Sequence, residues 1–269
     1  MQISKYIVKK KIAILISGGI RIYPKNKLFL NKIFKDFDIH IVSCVWKSQR
    51  KITQFKNLYK IKYIKYINLK NWQKNISKIH YVTGEENRSY KSINIFHMWH
   101  SITENLKFLK KISIKKKFDY VCRFRSDLYS KTIKSNLTKE ILNLKNNQIL
   151  FPENNHYRGI NDQFFITKYS TFLKFKNIFK FINFFLKEKR TFNPEYLFYC
   201  FIKKNNFKYK LIEGLNIKVL GQNLKSHRNY KIKPTKLAFI PLKDKINMKI
   251  IRYHLRFIKL KNKIKNILN

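Results

Sequence analysis

The segment Lys11 to Tyr23, KIAILISGGIRIY, constrains the fold more than any other. A short apolar run, Ile12 to Ile16, stops at Gly18-Gly19, the only Gly-Gly pair in the chain. That is the pattern of a buried parallel strand that ends in a tight loop. Further strand candidates follow at Asp38 to Trp46, within Lys56 to Leu69, at Phe118 to Phe124 and at Gln148 to Glu153, with one or two late strands in Phe207 to Leu220. Helices separate them. The clearest is Ser92 to Lys111, where Ile95, Trp99, Ile102, Leu106 and Leu109 step by four and three along one stripe. A helix or turn through Asn26 to Phe34, helices at Leu137 to Leu144 and Phe172 to Leu186, and one starting at Pro194 complete the series. Proline is tolerated at that first helical position. Strands alternating with helices predict an α/β, Rossmann-type protein with a mostly parallel sheet flanked by helices.

Composition narrows the possible partners and compartments. The 269 residues suit one large domain or two small ones, and 44% hydrophobic content suffices for a sizeable core. Neither repeats nor a clear linker is present, so residues 1–243 read as one domain and 244–269 as a basic amphipathic tail. Sixty Lys and Arg against fourteen Asp and Glu give a net charge of +46. The preference for Lys over Arg fits an AT-rich genome, but the scarcity of acids does not follow from it. The charge therefore predicts attraction to polyanions. Cys44, Cys122 and Cys200 lie far apart among apolar residues, which predicts free buried thiols in a reducing compartment. No signal peptide is evident, and no apolar run approaches the ~18 residues of a membrane span. The expected location is the cytoplasm, on the inner face of the cell membrane.

Arginine is rare, at ten of the sixty basic residues, yet two stand close together in YVCRFRSDLYS, Tyr120 to Ser130. Residues two apart on a strand share a face. Arg123, Arg125 and Asp127 would then line one side of an element whose other side, Tyr120, Cys122 and Phe124, is apolar and internal to the sheet. A guanidinium grips phosphate through a bidentate fork that lysine cannot reproduce. Asp127 at the strand's carboxyl end has the chemistry to bind a hard cation shared with a diphosphate. The SGGIR loop is a second candidate phosphate site, where backbone N–H groups are open to a ligand and Arg21 reaches outward. It is neither GxGxxG nor a P-loop.

Asn161, Asp162 and Gln163 abut Phe164, Phe165 and Ile166. An acid against an apolar wall has a raised pKa and suits general-base work, while a capping role is the plainer alternative. Glu195 after Pro194 sits where the helix dipole favours an acid. His227 and Arg228 read either as a metal or phosphate contact or as ordinary surface residues.

In order along the chain, KIAILISGGIR, FDIHIVSCVW, a helix with MWHSI, FDYVCRFRSDLY, FPENN and NDQFFI resemble bacterial glycosyltransferases of the WavE type. Those enzymes build lipopolysaccharide, capsule and related surface glycans. The resemblance covers about Lys11 to Phe201 and implies a GT-A-like fold that transfers a sugar from a nucleotide-sugar donor to a glycan or lipid-linked glycan acceptor. It implies that Ser17, Gly18, Gly19 and Arg21 contact the nucleotide. Arg123, Arg125 and Asp127 stand where other GT-A enzymes carry DxD, and would hold the diphosphate with or without Mg²⁺ or Mn²⁺. Arg125 occupies the place of the first Asp, which puts metal dependence in question. Asp162 is then the candidate base, with Glu195 second, or, in a retaining reaction, the group that orients the acceptor.

The tail repeats Ile250, Tyr253, Phe257, Leu260, Ile264 and Ile267 at three- and four-residue spacing among Lys and Arg. This fits either a helix lying on an anionic membrane surface or one packed on the protein's own core. Two rival functions stay open at this point. A nucleic-acid-binding protein is invited by the charge and the 16% aromatic content, although Lys is spread along the chain rather than gathered in a stripe. A catalytically degenerate glycosyltransferase relative is kept open by the single Asp at the DxD position.

Overall fold

The first strand of the computed structural model, β1 (Lys11–Gly18), lies inside the sheet and sends alternate side chains to two separate cores. The structure describes residues 9–47, 51–68, 92–130, 136–154, 156, 159–187, 193–219 and 242–267. After β1 come α1 (Pro24–Ile33), β2 (Asp38–Trp46), α2 (Ile52–Tyr59), β3 (Tyr63–Ile67) and the long α3 (Ser92–Ser113). The chain continues through β4 (Tyr120–Phe124), β5 (Leu128–Tyr129), α4 (Leu137–Leu142), β6 (Gln148–Pro152) and β7 (Phe164–Lys168). Then follow α5 (Tyr169–Leu173), a 3-10 turn (Lys174–Asn177), α6 (Ile178–Lys187), α7 (Pro194–Lys204), β8 (Lys208–Ile212), β9 (Lys218–Val219) and α8 (Leu242–Ile267).

Seven strands form one sheet in the order β3-β2-β1-β4-β7-β6-β8, and β5 pairs with β9 beside it. Every pairing in the large sheet is parallel except those of β7, which runs against both β4 and β6. The expected α/β architecture, a mostly parallel sheet flanked by helices, is the one observed. Ile12, Ile14 and Ile16 join Phe29, Phe55 and Phe124 on the α1/α2 face. Ala13 and Leu15 join Trp99, Phe165, Phe198 and Met248 on the face covered by α3, α7 and α8. Strands buried on both faces read as unbroken apolar runs, as β1 does.

Three expectations are corrected. The strand read within Lys56 to Leu69 is present but shorter than its alternating run, Tyr59 to Leu69: Tyr59 closes α2, where it and Phe55 bury a four-residue repeat, and only Tyr63–Ile67 is extended. The helix expected at Phe172 to Leu186 is broken by the 3-10 turn. Its core side chains Phe172, Phe175, Ile178 and Phe181 recur every three residues, which a 3-10 segment keeps aligned and an α-helix does not. Strand β4 stops at Phe124, so Arg125 and Asp127 lie in the turn beyond it rather than on the strand face. Cys44 and Cys122 are buried free thiols, while Cys200 is only half-buried.

Candidate functional site

The reversed strand explains how the polar residues meet. Ligands of open α/β sheets collect at the carboxyl ends of parallel strands. Ser17 to Arg21 leave the end of β1, and Arg125 to Asp127 leave the end of β4. Because β7 is antiparallel to β4, with Phe164 opposite Phe124, its start lies at that same edge. Asn161, Asp162 and Gln163, immediately before β7, are thereby delivered to it. Neighbouring strands stand about 4.8 Å apart, so three distant stretches of chain converge.

Side-chain bonds stitch the first two loops together. The backbone N–H of Arg21 donates to Ser126 Oγ at 3.2 Å, and Asn26 Nδ2 donates to the Ser126 carbonyl. Asp127 is 1% exposed and accepts two guanidinium groups. Arg125 binds it in bidentate fashion, Nε to Oδ1 at 3.0 Å and Nη2 to Oδ2 at 2.7 Å, and Arg21 Nη1 binds Oδ2. The side chains of Arg21 and Arg125 are 52% and 27% exposed, so both arginines also reach solvent. A Cβ built on Gly19 would meet nothing within 4 Å, so the loop backbone faces open space. Tyr59, at the end of α2, lies close enough that burial and then the Asp127 charge push its phenol pKa up.

Arg123 is placed differently. It shares the side of β4 that carries Val121, faces the α3/α7 core, and is 2% exposed. Its Nε donates to the Asp162 carbonyl at 2.7 Å and its Nη1 to Ser17 Oγ at 2.8 Å. Removing a guanidinium from water costs several kcal/mol, which such bonds and a nearby carboxylate offset. Burial lowers its pKa to about 10, so it keeps its charge at neutral pH. Asp162 is 3% exposed. Burial raises its pKa, and the charges of Arg123 and Arg125 oppose that rise without reversing it.

Asn161, not Asp162, does the local capping: its Oδ1 accepts the N–H groups of Gln163 and Phe164. Two further residues fix this loop, and neither was expected from the sequence. His156 accepts the Asn161 N–H at Nδ1 and so donates from Nε2 to the Pro152 carbonyl, a neutral tautomer with its pKa lowered to about 4 by burial. Gly159 packs so tightly on the first turn of α7 that an added Cβ would fall on the Glu195 carbonyl. That carbonyl accepts the Ile160 N–H, which brings Glu195, itself 8% exposed, against the same loop. Glycine's scarcity was a usable signal for Gly159, since only six occur in 269 residues. His156 carried none. His227 and Arg228 lie outside the described residues.

The donor set does not fit a resident divalent cation. Among the described residues no three His, Cys, Asp or Glu side chains converge, and both oxygens of Asp127 are already engaged by guanidinium groups.

No family model matches the chain. No curated protein matches it either. Among solved structures, mouse xyloside xylosyltransferase 1 in its apo form is similar at 9% identity and a TM-score of 0.42, over 75% of this chain and 84% of that one.

Proposed function

We propose that this protein is a glycosyltransferase that moves a sugar from a nucleotide-sugar donor to an acceptor hydroxyl of a surface glycan. The observation that carries the reading is the arginine pair: Arg21 and Arg125 converge on one buried carboxylate, Asp127, at the carboxyl edge of the sheet. Two cations on one anion leave an excess positive charge directed at solvent, next to the open backbone of Gly19. A diphosphate fits this chemistry, since a guanidinium fork matches phosphate oxygens.

In the proposed reaction the acceptor oxygen attacks the anomeric carbon, and the bond from that carbon to the diphosphate breaks. The bonding electrons leave with the nucleoside diphosphate, whose charge Arg21 and Arg125 stabilise in place. Asp162 takes the acceptor proton, for which a raised pKa suits it; Glu195 is the second candidate, from the adjoining turn of α7. Arg123 acts as a positioning residue that ties the Asp162 backbone to Ser17 and so keeps the donor and acceptor sides in register. For Asp127 to ligate Mg²⁺ or Mn²⁺ beside the diphosphate, a guanidinium must leave it, so no step is assigned to a metal here.

The test is a thermal-shift panel of UDP-, GDP-, CMP- and dTDP-sugars, with and without Mn²⁺, on wild type and Arg21→Ala. A bound donor raises apparent stability by mass action. The expected result is a rise with one nucleotide class that disappears in Arg21→Ala. No rise with any donor, together with tight salt-sensitive binding to RNA, would replace this reading with nucleic-acid binding.

A further inference from the structure

The terminal helix α8 is divided into three sectors. At about 100° per residue, Met248, Ile251, Leu255 and Ile258 fall on one side and pack into the core beneath α7. Roughly 160° further round runs a second apolar stripe, Ile246, Ile250, Tyr253, Phe257, Leu260 and Ile264, stepping by four and three. These six are solvent-facing, from 48% exposed at Ile246 and Ile264 to 67% at Tyr253. Between the two lie exposed Lys249, Arg252, Arg256 and Lys259, with Lys261 on the stripe's other flank. From Ile246 to Ile264 the helix carries no acid.

The stripe belongs to the folded surface rather than to a loose tail. Asn247 Nδ2 donates to the Tyr196 hydroxyl at 3.4 Å, the His254 ring meets Tyr209 edge-on at 6.3 Å, and Lys259 pairs with Glu153 at 3.9 Å. An apolar row of this length in water marks an interaction surface. Charge selects the occupant. A second copy of the helix would oppose Lys and Arg to Lys and Arg, with no acids to pair across the seam, on chains that each carry +46. A nucleic acid would match the basic flank and leave the apolar row in water. An anionic bilayer satisfies both, taking the apolar row into the acyl boundary and the basic side chains at the headgroups.

We infer that α8 docks the folded protein onto anionic lipid bilayer through the Ile246-to-Ile264 stripe, while its opposite face remains in the core. No helix among the described residues is long and apolar enough to cross a membrane, so attachment of this kind is interfacial. The surface uses residues other than those of the donor site, so vesicle binding is measured independently of sugar transfer.

The experiment is flotation of the full chain with vesicles of phosphatidylcholine mixed with phosphatidylglycerol, and of phosphatidylcholine alone, at low and high salt. Wild type floats with the mixed vesicles at low salt and much less with the neutral ones. The double variant Phe257→Glu/Leu260→Glu lowers binding by more than about tenfold with an unchanged melting temperature, since both side chains are exposed. Arg252→Gln/Arg256→Gln weakens binding and flattens its salt dependence. Wild type that does not float, or a double Glu variant that floats undiminished, overturns the inference. So does a dimer, seen by light scattering, that the double Glu variant abolishes in protein that binds no vesicles.

Discussion

Arg125 grips both oxygens of Asp127 from only two residues away, with Nε on Oδ1 at 3.0 Å and Nη2 on Oδ2 at 2.7 Å. The turn after β4 is thus closed by its own side chains, and the guanidinium is held flat before any ligand arrives. Lysine offers a point charge without the fork. Arg125→Lys is expected to cost about 1 kcal/mol of stability, because the pair is partly solvent-screened, and to weaken donor binding about tenfold or more. Urea unfolding and donor titration measure the two effects separately.

Asp127→Asn tests the other partner. It leaves two guanidinium groups facing each other over a neutral amide that accepts at one oxygen only. Loss of roughly 2 kcal/mol is expected, with donor binding weakened because Arg21 loses its anchor. Stability unaffected by the change would mean that the carboxylate does not organise the turn.

Gly159→Ala forces a methyl onto the carbonyl of Glu195, a backbone atom that cannot rotate away. Overpacking of this kind typically costs about 1–3 kcal/mol. Transferase turnover is expected to fall more than donor binding, since the shifted loop carries Asp162 and not the arginines. Equal falls in both would argue against a separate acceptor side.

Burial raises the Asp162 pKa above its ordinary 3.8. A carboxyl raised on folding holds its proton longer in the native state, so its ionisation costs stability as pH rises from 3.8 through the native value. Asp162→Asn is therefore expected to be more stable than wild type at neutral pH while losing transfer activity. The acid limb of the wild-type rate profile is expected to lie above the usual aspartate range.

For His156 the sign is opposite. Its native pKa of about 4 lies below the ordinary 6.5, so the unfolded chain takes up protons first and stability is lost as pH falls from 6.5 towards 4. Protonation also removes the Nδ1 acceptor from the Asn161 N–H. His156→Gln is expected to flatten this decline, as followed by melting temperature against pH.

Much of the framework was legible beforehand because burial imposes a pattern. The stop at Gly18-Gly19 marked the end of β1, and the stripe through Trp99, Ile102, Leu106 and Leu109 marked α3. The unbroken burial of Tyr120 to Phe124 agrees with the interior position read for β4. The direction of β7 was not legible: Phe164 to Ile166 are buried whichever way the strand runs, so periodicity contains no trace of it. The role of Arg123 was hidden for a related reason. Spacing along a strand says which side a residue faces but not where the strand ends, and Arg123 faces a core while Arg125 has already left the sheet. His156 holds its loop through ring nitrogens that meet backbone groups four and five residues away, a match of geometry rather than of residue type.

One reversed strand in an otherwise parallel sheet also sorts the edge by ancestry along the chain. Everything on the side of the Arg21–Asp127–Arg125 cluster comes from residues before Ser130, and everything on the Asp162 side comes from after β6. The seam between β4 and β7 is thus a border between two halves of the polypeptide, bridged by the Arg123 side chain. Such a molecule is suited to piecemeal remodelling: the loops on the far bank can be exchanged while the near bank keeps the bonds that hold Arg21, Arg125 and Asp127 together.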